Sequence, residues 1–289
     1  MNYIGNIIRP PSEADSIILQ VTVGCSHNKC TFCGAYKDQP FTVKDSKTID
    51  DDLNFASRYC RNQTRVFLAD GDALILSQEK LTVILKKIRR SVPWARRVSL
   101  YGNGLAIRSK TTQQLRELKS LGLDRVYLGL ESGSAEILDF VNKKESPESM
   151  IAAGKKVKDA GLFLSVTCLL GLAGIEKSAR HAIETARVLN TIAPNQVAIL
   201  SYLPLANTPL GQAVADGSFT IPQPDKILGE LRLIIENISG IKCQFHANHG
   251  SNYLPLSGRL PRDRQFFLDQ IEKAQYGKIA TVPEFRRTL

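Results

Sequence analysis

Short runs of strand-forming residues alternate with longer amphipathic runs along most of this 289-residue chain. The strand candidates are rich in Val, Ile, Leu and Tyr, and they cover residues 17–23, 65–69, 98–101, 125–130, 163–169 and 196–201. The amphipathic runs predict helices near residues 48–60, 77–91, 111–121, 134–141, 147–160 and 176–191. Six alternations favour an α/β fold with a parallel sheet and right-handed crossovers. A closed eight-fold barrel needs about 250 residues, so we expect an incomplete (β/α)6 TIM-like barrel.

The pattern changes after residue 201, where Pro-rich sequence replaces the alternation. Helices are predicted over residues 225–238 and near 261–275. We therefore expect a partial barrel over residues 1–212 and an α-rich C-terminal extension over 213–289.

The extension contains a dense polar and aromatic stretch at residues 245–264. Six polar side chains fall within eight residues, namely His246, Asn248, His249, Ser251, Asn252 and Tyr253. This density favours a lid over the open barrel, with His249 and Tyr253 as candidate catalytic residues. A turn-rich surface segment is the alternative.

Composition and charge exclude some classes of protein. Hydrophobic residues make up 43% and charged residues 23% of the chain, as in ordinary globular proteins. No apolar run approaches the length of about 18 residues that a membrane span needs, and no secretory signal is evident, so we expect a cytoplasmic protein. The net charge of +10 permits an anionic substrate or RNA as partner without requiring either.

Three of the six cysteines lie within nine residues, immediately after the first predicted strand. Cys25, Cys30 and Cys33 can hold three irons of a [4Fe–4S] cluster and leave the fourth iron open to a small chelating molecule. A structural zinc site that adds His27 is the alternative, although zinc sites usually combine two separated ligand pairs.

This loop resembles that of the radical S-adenosylmethionine (SAM) superfamily, with Phe32 in the aromatic position before the last cysteine. The spacing here is Cys-x4-Cys-x2-Cys, one residue longer than the usual family loop. The resemblance implies a [4Fe–4S] cluster and SAM as cofactors, reductive cleavage of SAM to a 5′-deoxyadenosyl radical, and hydrogen abstraction from, or addition to, an organic substrate. It also implies oxygen sensitivity and a low-potential electron donor such as flavodoxin or ferredoxin.

Further segments resemble the branch that includes tRNA methylthiotransferases, the Elongator catalytic subunit and coproporphyrinogen dehydrogenases. They are LADGDAL after the second strand, GLESGS at the fourth, FVNKKES downstream and LLGLAG at the fifth. The resemblance implies cofactor contacts from Phe32, Asp70, Gly71, Asp72, Glu131, Ser132, Lys143, Leu170 and Gly171.

Other polar residues receive separate predictions. Tyr101 ends the third predicted strand and Asn103 follows it, and both are expected at the barrel mouth. Tyr101 is a candidate catalytic residue and Asn103 a candidate cofactor contact; a Gly-Asn-Gly turn is the alternative. Ser134 is expected to cap the next helix, and His181 to face solvent.

Two classes of function remain open on the sequence. The first is a radical SAM enzyme acting on an unidentified small or anionic substrate, with RNA modification as a variant of it. The second is a zinc-stabilised nucleic-acid-binding module, which the charge and the Cys/His loop permit but which does not explain the ordered strand motifs. Metal analysis separates them, because the first predicts iron and sulfide and the second predicts zinc.

Overall fold

The structure is a computed structural model that describes residues 1–288. Its main sheet has eight strands, and a separate sheet has two. The strands are β1 (Ile17–Gln20), β2 (Thr22–Val23), β3 (Thr42–Val43), β4 (Arg65–Ala69), β5 (Arg97–Tyr101), β6 (Leu123–Glu131), β7 (Phe163–Leu170), β8 (Gln196–Ser201), β9 (Cys243–Ala247) and β10 (Leu256–Leu260).

Ten α-helices accompany these strands in residues 1–288. They are α1 (Ser46–Tyr59), α2 (Gln78–Ser91), α3 (Gly104–Arg108), α4 (Thr112–Ser120), α5 (Ala135–Phe140), α6 (Pro147–Asp159), α7 (Ser178–Ile192), α8 (Pro209–Ala215), α9 (Pro224–Asn237) and α10 (Arg264–Gln275). No helix in the described part of the chain is both long and apolar enough to cross a membrane.

The main sheet has the strand order β1-β4-β5-β6-β7-β8-β9-β10. Strand β4 pairs in parallel with β1 and β5, β5 with β6, and β8 with β7 and β9. Helices connect the parallel strands, as the alternating pattern predicts. The α/β fold with an incomplete TIM-like barrel is confirmed.

The chain forms two compact units. The first comprises Met1–Asn28, Ala35–Leu128 and Ala152–Leu164, and the second comprises Lys29–Gly34, Gly129–Ile151 and Ser165–Leu289. The boundary proposed from the sequence, at residue 212, lies inside the second unit. The cysteine loop contributes residues to both units.

The first predicted strand is shorter in the structure than in the sequence pattern. Residues 17–20 form β1, whereas Thr22 and Val23 leave the main sheet and pair antiparallel with β3. Val21 still donates its N–H to the Ala69 carbonyl at 2.7 Å. The chain therefore leaves the main sheet just before Cys25, and the cysteine loop is not part of that sheet.

The extension contains two strands that the sequence analysis did not predict. Residues 245–264 do not form one continuous loop, because β9 pairs in parallel with β8 and β10 pairs antiparallel with β9. Phe245 of β9 is fully buried, and its ring centroid lies 5.4 Å from that of Phe267 on α10. The turn between these strands, residues 248–255, is the part of this stretch that remains a candidate for the lid over the open barrel.

Phe245→Ala should lower the free energy of unfolding by about 3–5 kcal/mol, the usual cost of removing a buried Phe ring. Phe285→Ala is the matched control, because Phe285 is 82% exposed and surface changes usually cost less than about 0.5 kcal/mol. Urea denaturation of both variants measures the difference. Equal stabilities would contradict the placement of β9 in the core.

Candidate active site

The segment after β4 lies directly against the first cysteine. A Cβ on Gly71 would lie 3.2 Å from the Cys25 Cβ and 2.8 Å from a ring carbon of Tyr36. Only glycine fits this contact without displacing the Tyr36 ring. Within the first unit, the structure therefore brings Gly71 and Cys25 together. A contact between Gly71 and the cofactor stays a prediction.

Asp70 is buried and engaged on both carboxylate oxygens. Gln20 Nε2 donates to Oδ2 at 2.8 Å, and the Tyr36 hydroxyl donates to Oδ1 at 3.2 Å. Burial raises the pKa of Asp70, and the two hydrogen bonds oppose that rise. Asp70 thus ties β1 to the chain that follows the cysteine loop. Sequence analysis missed Gln20 and Tyr36, since neither belongs to a recognisable motif.

Asp72 connects the cysteine loop to the end of β5. Its Oδ2 accepts from Ser26 Oγ at 2.6 Å and from Asn103 Nδ2 at 2.7 Å, and its Oδ1 accepts from the Asn103 backbone N–H at 3.2 Å. Asn103 Oδ1 also caps α3 by accepting from the Ala106 N–H. These contacts fix Ser26, the neighbour of Cys25, at the carboxyl ends of two parallel strands, where functional groups usually gather.

In the second unit, backbone hydrogen bonds hold the part of the loop that carries Cys30 and Cys33. Thr31 donates its N–H to the Val141 carbonyl and accepts from the Leu210 N–H, both at 3.0 Å. Asn207 Nδ2 donates to the Gly34 carbonyl at 3.1 Å. A short loop without secondary structure is thereby held by α5 and α8.

Phe32, between these two cysteines, packs against a buried apolar cluster of the second unit. The cluster consists of Ile137, Val141, Leu172, Ala173, Tyr202 and Leu210. The position of Phe32 shows that this aromatic side chain anchors the loop. A direct contact between Phe32 and the cofactor stays a prediction.

Glu131 and Lys143 form an ion pair at the end of β6. Lys143 Nζ lies 2.8 Å from Glu131 Oε1, and the side chains are 12% and 11% exposed. A Cβ on Gly129 would lie 2.2 Å from Glu131 Oε1, so glycine at that position makes room for the carboxylate. The pair sets two side chains with predicted cofactor roles next to each other.

The backbone around this pair is unusual. Glu131 adopts a left-handed conformation with φ of 63°, and Asn142 and Lys144, on either side of Lys143, have φ of 53° and 58°. Left-handed backbone is disfavoured for residues with a Cβ and is concentrated at functional sites.

Ser132 and Ser134 follow directly after Glu131. Ser132 is fully buried, and its hydroxyl accepts from the Ser134 N–H at 3.0 Å. Ser134 occupies the N-cap position of α5, but its side chain makes no capping hydrogen bond. The expectation of a cap is thus correct for the position and wrong for the interaction, because the Ser134 side chain interacts with the Glu184 carboxylate and not with the helix backbone.

A buried carboxylate fixes the turn after β7. Gly171, with φ of 85°, donates its N–H to Glu230 Oε1 at 3.1 Å. Glu230 also contacts Ser178 Oγ at 2.5 Å and His181 Nδ1 at 2.8 Å. The prediction that His181 faces solvent is wrong, because α7 packs against α9 and His181 lies between them, 1% exposed. Leu170, just before this turn, is buried.

The proposed lid residues are tied to the end of β8 and to the C-terminal segment. Asn252 Oδ1 accepts from Ser201 Oγ at 2.9 Å, and its Nδ2 donates to the Ile199 carbonyl at 2.8 Å. The Tyr253 hydroxyl donates to Glu284 Oε2 at 2.6 Å, and burial raises the pKa of Tyr253 to about 12.

The two histidines of this region have different surroundings. His249 Nδ1 lies 2.9 Å from Ser251 Oγ, and burial lowers the pKa of His249. His246 lies on β9, with Nδ1 2.7 Å from Ser257 Oγ of β10. His246 therefore bridges paired strands. Catalytic roles for His249 and Tyr253 stay predictions.

The donor chemistry of the cysteine loop fits an iron–sulfur cluster. All six cysteines are outside disulfides, and Cys25, Cys30 and Cys33 are partly exposed. Thiolate ligands on one accessible loop are what a [4Fe–4S] cluster requires. Among residues 1–288, no three His, Cys, Asp or Glu side chains are grouped as ligands of a single metal ion.

Such a loop at the strand ends of a partial α/β barrel is characteristic of a class of iron–sulfur enzymes. A family model described as the Radical SAM superfamily matches residues 19–187, more than half of the chain. The chain therefore belongs to the radical SAM superfamily. Members of this superfamily use a [4Fe–4S] cluster and SAM as cofactors.

Individual relatives are distant. Anaerobilin synthase of Escherichia coli O157:H7 is 23% identical over 203 residues, which is 68% of this chain and 45% of that protein. This chain thus spans less than half the length of that curated relative.

Two solved structures share the fold. Coproporphyrinogen III oxidase (HemN) from Escherichia coli has a TM-score of 0.56 at 18% identity, covering 76% of this chain and 51% of that one. Methylornithine synthase (PylB) has a TM-score of 0.58 at 14% identity, covering 88% and 68%.

Glu230→Ala should destabilise the protein by about 3–5 kcal/mol, because removing a buried charge leaves its partners without an acceptor. The control is Glu236→Ala on the same helix, where a 35% exposed carboxylate pairs with Arg232 and contributes about 0.3–0.5 kcal/mol. Thermal and urea unfolding measure both. Similar losses in the two variants would show that the Glu230 contacts do not stabilise the fold.

Proposed function

We propose that this protein is a radical SAM enzyme in which Cys25, Cys30 and Cys33 hold the [4Fe–4S] cluster. The observation that carries the proposal is the close packing of Gly71 against Cys25 in the first unit, because it sets the segment after β4 beside the first cluster ligand. When bound, the cluster and SAM supply a 5′-deoxyadenosyl radical that abstracts hydrogen from, or adds to, the substrate.

The protein residues bind and orient the cofactors. In the first unit, Asp72 orients Ser26 and Asn103, while the Gly71 backbone remains close to Cys25. We assign the methionine amino group of SAM to the segment 70–72. Because Asp70 and Asp72 already accept hydrogen bonds from side chains of the protein, their role is to hold this segment in place as well as to attract the amino group.

In the second unit, Glu131 and Lys143 carry opposite charges that match opposite ends of SAM. We assign Glu131 to the ribose hydroxyls or the amino group, and Lys143 to the methionine carboxylate. Ser132 supports the turn beside Glu131 through its bond to Ser134. The 2.8 Å ion pair holds the two side chains together. When SAM binds, its charged groups take the place of Lys143 as partner of Glu131 and of Glu131 as partner of Lys143.

The turn at Leu170 and Gly171 is assigned to the adenine. A left-handed glycine permits close approach of the backbone to a ring, and Glu230 fixes that turn through the Gly171 N–H. Glu230 is therefore a positioning residue in this proposal.

The remaining assignments concern partners and location. We propose a low-potential electron donor such as flavodoxin or ferredoxin, a cytoplasmic location and sensitivity to oxygen. A small or anionic substrate is favoured, and the net charge of +10 supports RNA modification as the second candidate. Superfamily membership favours the cluster over the zinc-stabilised module.

Anaerobic reconstitution tests the cluster ligands. The wild-type protein should bind iron and sulfide in near-equal amounts, and replacing Cys25, Cys30 and Cys33 together by Ala should abolish both, because thiolates are the cluster ligands. Cys60→Ala is the control, since Cys60 ends α1 outside the loop. Iron, sulfide and zinc analysis with ultraviolet–visible spectra gives the result. A full cluster in the triple variant, or zinc in the wild type, would refute the assignment.

Glu131→Ala should weaken SAM binding by about 1–3 kcal/mol, the range for a lost hydrogen bond that involves a charged group. Isothermal titration of the reconstituted protein measures the affinity. Glu79→Ala, which changes an exposed residue of α2, serves as control. An unchanged SAM affinity in Glu131→Ala would remove Glu131 from the cofactor site.

A further inference from the structure

Residues 282–288 lie along the turn between β9 and β10. Val282 donates its N–H to the Tyr253 carbonyl at 2.7 Å, and Thr288 donates its N–H to the Gly250 carbonyl at 3.1 Å. A Cβ on Gly250 would lie 2.6 Å from Thr288 Oγ1 and 3.1 Å from the Thr288 carbonyl oxygen, so glycine at this position permits the close contact. Residues 282–288 therefore hold this turn at two points.

Arg287 joins this segment to two other parts of the second unit. Its side chain is 3% exposed. Nε donates to the Ser251 carbonyl at 2.7 Å, Nη2 donates to the Tyr202 carbonyl at 3.1 Å, and Nη1 donates to both carboxylate oxygens of Glu284 at 2.7 and 2.8 Å. The guanidinium carbon lies 4.0 Å from the centroid of the Tyr253 ring. One planar group thus binds the β9–β10 turn, the residue after β8 and its own segment.

Tyr202, the residue directly after β8, connects this guanidinium with the proposed cofactor site. Its N–H donates to the Leu170 carbonyl at 2.9 Å, and Leu170 precedes the Gly171 turn. Its side chain is buried in the apolar cluster against which Phe32 packs. A displacement of Tyr202 would therefore displace the Gly171 turn and Phe32, which lies between two of the cysteines of the loop.

The contacts of Arg287 exceed what packing alone requires. A charged group that leaves water loses hydration, and several well-placed partners are needed to offset that loss. An apolar side chain could cover the Tyr253 ring without this cost, but it could not donate to the Ser251 and Tyr202 carbonyls. The guanidinium has its donors in a fixed fork, so it sets the direction as well as the distance of these carbonyls. The chemistry of the group therefore favours a role in positioning.

We propose that Arg287 is a positioning residue for the cofactor: it holds Tyr202, and through Tyr202 the Leu170–Gly171 turn and Phe32, in the arrangement that binds SAM. The same guanidinium keeps the β9–β10 turn against the end of β8, where Ser251 Oγ accepts from the Ser201 N–H at 3.1 Å. Arg287 acts through these neighbours, without a contact of its own to SAM. This inference rests on the proposed function, because it depends on the assignment of the Leu170–Gly171 turn to SAM.

The test compares Arg287→Ala with Arg286→Ala in anaerobically reconstituted protein. Arg286 is the matched control, because it is the exposed neighbour of Arg287. Iron and sulfide content should equal that of the wild type in both variants, since the three cysteines are unchanged. Isothermal titration should show SAM binding weakened about threefold to tenfold in Arg287→Ala, the range for losing hydrogen-bonded support of one part of a binding site, and unchanged in Arg286→Ala.

Electron paramagnetic resonance gives a readout that a loss of stability alone would not change. A molecule that binds the open iron changes the ligands of the cluster, and hence its spectrum in the reduced state. At a SAM concentration near the wild-type dissociation constant, a smaller fraction of the Arg287→Ala clusters should show this change, and saturating SAM should restore it. Arg287→Lys keeps the charge but lacks the planar fork, so its SAM affinity should lie between those of Arg287→Ala and the wild type.

A second variant, Glu284→Gln, keeps the test decisive if Arg287→Ala does not fold. It removes the charge of the carboxylate that accepts from Arg287 and leaves one oxygen as an acceptor. The Glu284 side chain is 66% exposed, so the fold should tolerate the change. SAM binding should weaken in the same direction as in Arg287→Ala, by a smaller factor. Melting temperatures establish that each variant is folded.

Several results would overturn the inference. Equal SAM affinity in Arg287→Ala, Arg286→Ala and the wild type would do so even if Arg287→Ala melts at a lower temperature, because the role of Arg287 would then be structural. Loss of the cluster itself from Arg287→Ala, or an unfolded Arg287→Ala together with wild-type SAM affinity in Glu284→Gln, would also overturn it. Failure of the wild type to bind SAM at all would instead refute the proposed function, which is a distinguishable outcome.

Discussion

The cysteine loop has no regular secondary structure, so its conformation depends on hydrogen bonds from surrounding elements. In the first unit these bonds converge on Asp72, which accepts from Ser26 and from Asn103. In the second unit they converge on the backbone of Thr31. The cysteine loop has no backbone hydrogen-bond ladder of its own. Hydrogen bonds from groups at the ends of neighbouring strands and helices therefore hold it in place.

Buried carboxylates recur as organising groups. Asp70, Asp72, Glu13 and Glu230 are each nearly inaccessible to solvent, and each accepts hydrogen bonds from more than one element of its unit. An unpaired charge in such places would be strongly destabilising, whereas several converging donors offset the loss of hydration. The same groups therefore fix the relative positions of segments that are distant in sequence.

Much of the fold follows from local patterns. Strand β4 and strand β8 begin and end where periodicity predicts, and α4 lies within the predicted helix near residues 111–121. β9 escaped detection because its five residues, Cys243–Ala247, lie within a polar stretch in which His246 faces a partner strand. His181 was misplaced because a lone polar residue on an amphipathic helix gives no sign of a buried partner, and Glu230 lies 49 residues away.

The sequence by itself determined the class of chemistry, since three cysteines on one loop and the ordered motifs after successive strands point to an iron–sulfur cluster with SAM. These are local patterns, and spacing along the chain expresses them. Only the tertiary structure decided that Gly71 lies against Cys25, that Glu131 pairs with Lys143, and that Glu230 holds the Gly171 turn and His181. Such facts depend on which side chains meet after the strands pair, and no local pattern encodes the distance between side chains that lie on different elements.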